Sequence, residues 1–177
     1  MIFDPYSNRL ARDIRNSLSS ALVDELTGNA PGSLSAVADD WLATAPGPEY
    51  QTYIKNRLAL FHQAMDHINA EQIKDTRFQS ICLWNLGLFF EMHELLETIW
   101  QKSREPERSA LKGWIQAAGV YVHFHRGKVD VAGKLARKAK KHLRNGRTQL
   151  DFISNIDQLI DALEKGTEIA PKLLPAQ

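Results

Sequence analysis

Leu10, Ile14, Leu18, Leu22 and Leu26 recur at every fourth position, a spacing that stacks side chains along one face of an α-helix and scatters them over both faces of a strand. The same periodicity continues along the chain, interrupted only where glycine, proline or asparagine breaks it. Asp4 and Pro5 suit an N-cap and first turn for the first helix, and Thr27-Gly28-Asn29 ends it. Ser33 suits the cap of a shorter helix with Val37 and Trp41 inward, closed by the Pro46-Gly47-Pro48 breaker. Tyr50, Ile54, Leu58, Phe61, Met65 and Ile68 carry the next helix to about Asn69, and Thr76 to Trp84 the one after it. Asn85 reads as a cap that restarts the chain into Leu86 to Lys102. Glu105-Pro106 opens a helix to Arg126, stopped by Gly127, and Asp130 to Asn145 ends at Gly146. Ile156, Leu159, Ile160 and Leu163 form the last helix before Gly166, after which the tail is expected to fray. Nowhere does period-2 alternation lie between turn signals, as strands require. The expected fold class is all-α, a multihelical bundle of about seven helices with an antiparallel helix pair at its centre. Residues 1–47 read as an N-terminal helical extension and 48–177 as the helical core domain.

Charge and cysteine usage narrow the function classes. The 22 basic and 21 acidic residues give a net charge of +1, so no global field favours nucleic acid or an anionic membrane. Cys82, the only cysteine, excludes an internal disulfide and a cysteine-rich metal site, and its place between Ile81 and Leu83 suits a small core residue. The residues after Met1 lack the basic and then apolar pattern of an export signal, and no apolar run approaches the roughly 20 residues that span a bilayer. A cytoplasmic protein is expected, with a small molecule as the expected ligand, no nucleic acid and no membrane, and with a homo-oligomer left open.

Polar chemistry concentrates on two helices. Projected at about 100° per residue, His93 falls within an apolar stripe flanked by Leu86, Phe89, Phe90, Leu96 and Trp100. Glu97 lies one turn on, Glu94 falls at the edge of the stripe, and Glu91 points further away. On the following helix Gln116 and His123 share a stripe that Lys112 extends, with Gly119 between them, and His125 points to the opposite side as a surface residue. Antiparallel packing across the short connection would turn His93 and Glu97 toward Gln116 and His123. Two readings are open. In the first, His93, Glu97 and His123 ligate one divalent metal (zinc, iron or manganese), Glu94 is the catalytic base and Gln116 orients the ligand or substrate. In the second, the same groups form a hydrogen-bond network that fixes helix packing. The fifth residue of His93-Glu94-Leu95-Leu96-Glu97 is Glu, where the zincin motif requires a second His, so a zincin protease is not supported.

The run Trp84-Asn85-Leu86-Gly87 through His93-Glu94-Leu95-Leu96-Glu97 to Trp100 resembles the signature of a bacterial helical family, domain of unknown function 309, labelled in places a predicted metal-dependent hydrolase. Lys112-Gly113-Trp114-Ile115-Gln116 and Tyr121-Val122-His123-Phe124-His125-Arg126-Gly127 resemble its second block. The recurring elements of that family match Asn85, His93, Glu94, Glu97, Ile115, Gln116, His123 and Gly127. The family-like segment runs from about 78 to 143. Lys112, Lys128 and Val131 depart from the pattern, which usually has Gln, Asn and Gly there. The resemblance implies a helical fold and a metal-dependent hydrolase.

Lys134, Arg137, Lys138, Lys140, Lys141, Arg144 and Arg147 form a basic run with no acid from Val131 to Leu150. Leu135, Ala139 and Leu143 mark an inward stripe, so the run reads as the solvated face of an amphipathic helix; its alternative use is contact with an acidic partner. Without interleaved aromatics it lacks the stacking platforms of a nucleic-acid surface. His62 and His67 read as partly exposed, and Trp41 and Trp114 as core anchors.

Overall fold

A computed structural model describes residues 3–45 and 47–176. Among these the protein is all-α, with eight α-helices, one 3-10 turn and no strand. The chain divides into two compact units, Met1–Ile73 and Lys74–Gln177.

The first unit holds α1 (Arg9–Leu26), α2 (Ser33–Thr44) and α3 (Pro48–Ala70). Helix α1 begins later than Asp4-Pro5 suggested. Asp4 instead closes a turn on Tyr6 N and the Ser7 hydroxyl, and the Asn8 side chain caps the helix by accepting from Ala11 N at 3.0 Å. Gly32, in the left-handed region at φ 81°, rather than Ser33 precedes α2, and the Glu25 carboxylate takes the free Leu34 N–H at 2.9 Å. Ile14, Leu18, Leu22, Leu34, Ala38, Ile54 and Phe61 are buried, as their spacing requires. Trp41 is only half-buried, held by its indole N–H donating to Ser17 Oγ at 2.6 Å. His62 and His67 are exposed. Of the expected breaker, Pro46 lies outside the described residues; Pro48 opens α3 at a position where its missing N–H costs nothing.

The second unit holds α4 (Thr76–Asn85), α5 (Phe89–Trp100), α6 (Glu107–His125), α7 (Val129–Asn145), the 3-10 turn Arg147–Gln149 and α8 (Ile156–Lys165). The antiparallel pair at its centre is α6 with α7. The register follows from their glycines: Gly113 meets Leu143 and His142, Gly119 meets Leu135, and Gly146 meets Ala110. A β-carbon at Gly113 would lie 2.8 Å from Leu143 N, and one at Gly146 would lie 2.5 Å from Ala110 Cβ. The two backbones therefore approach more closely than any side chain there would permit. Helix α5 also packs on α6, and Arg108 of α6 reaches back to donate to Trp100 O at 3.1 Å, a cation at the carbonyl end of α5.

Trp84, Phe89, Trp114 and Tyr121 centre the core of this unit, with Trp84 and Tyr121 edge to face at 5.4 Å. Among the described residues the Tyr121 hydroxyl has no hydrogen-bond partner, and burial pushes its pKa up to about 12. Removing an unpaired buried hydroxyl removes a desolvation cost. Tyr121→Phe should therefore hold or raise the denaturation midpoint; a loss above about 1 kcal/mol would mean that the hydroxyl has a partner.

The C-terminal segment does not fray. Leu173 is fully buried, and main-chain bonds join Ser154 N to Leu174 O and Ala176 N to Phe152 O. Asparagine side chains replace a neighbouring strand on either side of it. Asn85 accepts from Leu173 N and donates to Leu173 O, both at 2.8 Å, while Asn155 donates to Lys172 O and accepts from Leu174 N, also at 2.8 Å. Asn85 is thus the last residue of α4, with its side chain turned to the tail, and is not a cap for α5. The break between α4 and α5 falls at Gly87, whose φ of 72° suits glycine.

Candidate functional site

The α5 register places the polar residues differently from the projection. The buried arc of α5 is Phe89, Met92, Leu95 and Leu96 together with Glu91, which is fully buried and not without a partner. His93 lies on the flank of this arc rather than inside it, and its side chain and those of Glu94 and Glu97 are each about one-third exposed. Phe90 and Trp100, counted as part of the stripe, are half-buried, which rotates the true inner face away from His93.

Three of the five expected site residues meet. His93 Nδ1 lies 3.2 Å from Glu94 Oε1, and His93 Nε2 lies 3.2 Å from Glu97 Oε1. An imidazole facing a carboxylate at both nitrogens is best served by a proton on each, that is, by the cation. Burial pulls the His93 pKa down, but Glu94 and Glu97 together outweigh it and hold the ring above its ordinary value of 6.5. Since the folded pKa exceeds the unfolded one, the stabilisation is complete below the unfolded value and disappears as pH climbs through the folded value. Nuclear magnetic resonance titration of His93 should give a midpoint above 6.5, and Glu97→Gln should bring it down. A midpoint unchanged by that substitution would dissolve the cluster.

Gln116 and His123 are not bonded to this group. Among the described residues no hydrogen bond or ion pair joins them to His93, Glu94 or Glu97, and Gln116 Oε1 and His123 Nδ1 are buried without a hydrogen-bond partner. Burial first, and then the Arg126 charge, depress the His123 pKa, so folding favours its neutral form. This is the opposite sense to His93. Gly119, between the two on α6, faces Leu135 of α7, so part of this stripe turns to α7. No group of three or more His, Cys, Asp or Glu among the described residues is arranged to hold an ion, and both ring nitrogens of His93 are already engaged. As the side chains stand, His93 is placed to share its protons with Glu94 and Glu97.

One further feature was not anticipated from the sequence. A cleft of about 500 Å³ lies beside the tail, walled by Trp84, Phe89, Phe124 and His125 and by residues of the segment from Glu168 to Lys172. His125, taken as a surface residue, is exposed as expected and forms part of that wall. Two prolines in the tail, Pro171 and Pro175, were the available signal, because proline and the residue before it disfavour helix.

Fold and site together define an all-helical protein with a histidine–carboxylate cluster on the flank of a central helix. Residues 79–135 match the model of a family described as a domain of unknown function (DUF309), a stretch from α4 to the middle of α7 that includes His93, Glu94, Glu97, Gln116 and His123. No curated protein and no solved structure matches the chain. Among the described residues no helix is long and apolar enough to cross a membrane.

Proposed function

We propose that this protein is a non-catalytic helical binding module whose contact surface is the basic face of α7, with the His93–Glu94–Glu97 cluster serving as a hydrogen-bond network on the flank of α5. The observation that carries the reading is charge segregation. In a chain of net charge +1, the segment from Arg126 to Arg147 holds nine basic residues against one acid, Asp130. Glu164 of α8 engages Lys140 and Arg144, and Asp157 engages Arg147. Lys134, Arg137, Lys138 and Lys141, spaced i, i+3, i+4 and i+7, are all exposed and have no carboxylate partner among the described residues. They form a single stripe of cations whose complement is an acidic partner.

Changing Lys138 and Lys141 together to Glu should leave folding within about 0.5 kcal/mol of wild type, as surface substitutions do. The same pair should abolish salt-sensitive binding to an acidic polypeptide such as poly-glutamate. If wild type and double variant bind that probe equally, the basic face is only solvated.

Metal-dependent hydrolysis is the competing reading, favoured by the two buried, unpartnered atoms of Gln116 and His123, which a bound group would satisfy. In that reading His93, Glu97 and His123 are the ligands and Glu94 is the base. Elemental analysis of protein purified without an affinity tag separates the two. Near-stoichiometric zinc, iron or manganese, with a melting temperature that rises on metal addition and a rise that His93→Ala or His123→Ala removes, would replace the binding-module reading.

A further inference from the structure

The C-terminal segment is held in a manner that does not depend on most of its own side chains. Trp84 Nε1 donates to Pro171 O at 2.8 Å, Asn85 pairs with both main-chain groups of Leu173, and Asn155 bridges Lys172 O and Leu174 N. Every one of these contacts reads backbone, as an added strand is read at a sheet edge. Side-chain recognition rests on Leu173, which is fully buried, and on Lys172, whose Nζ donates to Asn85 O, while Leu174 is 54% exposed and Ile169 is 82% exposed. Pro171 and Pro175 keep the segment extended before it docks, which lowers the ordering cost of binding. Gly166 to Ile169, the connection to α8, are all exposed.

We propose that the groove between the α4–α5 junction and residues 152–155 is a receptor for an extended, leucine-anchored peptide flanked by prolines, and that the chain's own segment 170–176 fills it in cis. The partner is a protein segment with the chemistry of Pro171-Lys172-Leu173-Leu174-Pro175. When that partner displaces the tail, its own proline and lysine take the places of Pro171 and Lys172, and the cleft beside Trp84, Phe89 and Phe124 loses the part of its wall formed by Glu168 to Ala170. Docking at the groove is thereby coupled to opening of the cleft. The tethered tail competes at a high effective concentration, of order millimolar for a short flexible connection, so wild-type protein should bind a free peptide weakly.

The test uses the whole 177-residue chain and a fluorescent synthetic peptide of residues 169–176. Leu173→Asp weakens the cis tail and should raise peptide affinity at least tenfold over wild type. Adding Asn85→Ala to Leu173→Asp should cost at least tenfold of that gain, because the receptor's backbone clamp is gone. Absence of peptide binding by a Leu173→Asp protein that keeps its helical dichroism would overturn the proposal, as would binding indifferent to Asn85. Should Leu173→Asp fail to fold, hydrogen exchange on the wild type decides. Exchange of the Leu173 and Leu174 amides well before those of α6 shows that the tail detaches from a folded protein, and exchange only with α6 overturns the idea. A concentration-dependent dimer formed by exchange of tails would assign the groove to a second copy and overturn the partner-peptide reading.

Discussion

Gly113→Ala is expected to destabilise the second unit by about 3 kcal/mol, the upper range for overpacking. The added methyl would lie 2.8 Å from the Leu143 amide nitrogen and 2.9 Å from His142 Cβ. Backbone cannot rotate aside as a side-chain end can, so α7 would have to lift from α6 along its last turns. Gly133→Ala provides the contrast within the same helix pair. Nothing lies within 4 Å of the β-carbon it would add, and the position is inside α7, so it should stabilise by roughly 0.5 to 1 kcal/mol through helix propensity and a less flexible unfolded chain. Chemical denaturation followed by dichroism measures both. Equal and small effects at the two glycines would mean that α6 and α7 do not touch through their backbones.

The second large effect is expected at Asn85. Asn85→Ala removes two hydrogen bonds and leaves the N–H and C=O of fully buried Leu173 without their side-chain partner, at a cost of about 2 to 4 kcal/mol at 1 to 3 per group with partial compensation by water. Asn85→Asp keeps an acceptor for Leu173 N but has no donor for Leu173 O, so it should fall between wild type and Ala. The ordering wild type, Asp, Ala is the signature of a clamp. A helix cap would give another result, because Asp caps as well as Asn does. Hydrogen exchange at Leu173 should accelerate in the same order. If Asp matches wild type while Ala is impaired, the donor half of the clamp is absent.

These residues also mark how far the sequence could be read. Helices were legible because apolar residues three and four apart leave few alternatives, and Gly127, Gly146 and Gly166 ended them where expected. Asn85 was misread because its partner, Leu173, lies 88 residues away, and local patterns cannot distinguish an asparagine that caps its own helix from one that clamps a distant extended segment. His93 was placed inside the stripe because projection weighs every apolar neighbour equally. The fold buried Glu91 and left Phe90 half-exposed, so the inner face lies about a quarter-turn or more from where composition centred it. The contact of His93 with Glu97 was accessible from spacing, since residues one turn apart on a helix are neighbours, whereas that with the adjacent Glu94 was not, because consecutive helix positions do not face each other. Whether His123 joins them depends on helix rotation, which no spacing encodes. Likewise, Pro171 and Pro175 announced an extended tail but not a groove to receive it.

The close approach of α6 and α7 has a consequence for the surface that α7 presents. A helix fixed to its neighbour by close backbone approach at its C-terminal end, at Gly113 and Gly146, and by the Leu135 side chain against Gly119 nearer its middle, has little freedom to slide or roll. Lys134 and Lys141, seven residues apart, are then mounted about 10 Å apart along a rigid axis. Such a helix acts as a ruler: acidic groups arranged at the matching interval are met without bending α7 or ordering its backbone, whereas groups at another interval reach one cation at the expense of the next. Selectivity among acidic partners would then reside in spacing rather than in total charge, and a scrambled acidic peptide of unchanged composition should lose binding that its ordered counterpart retains.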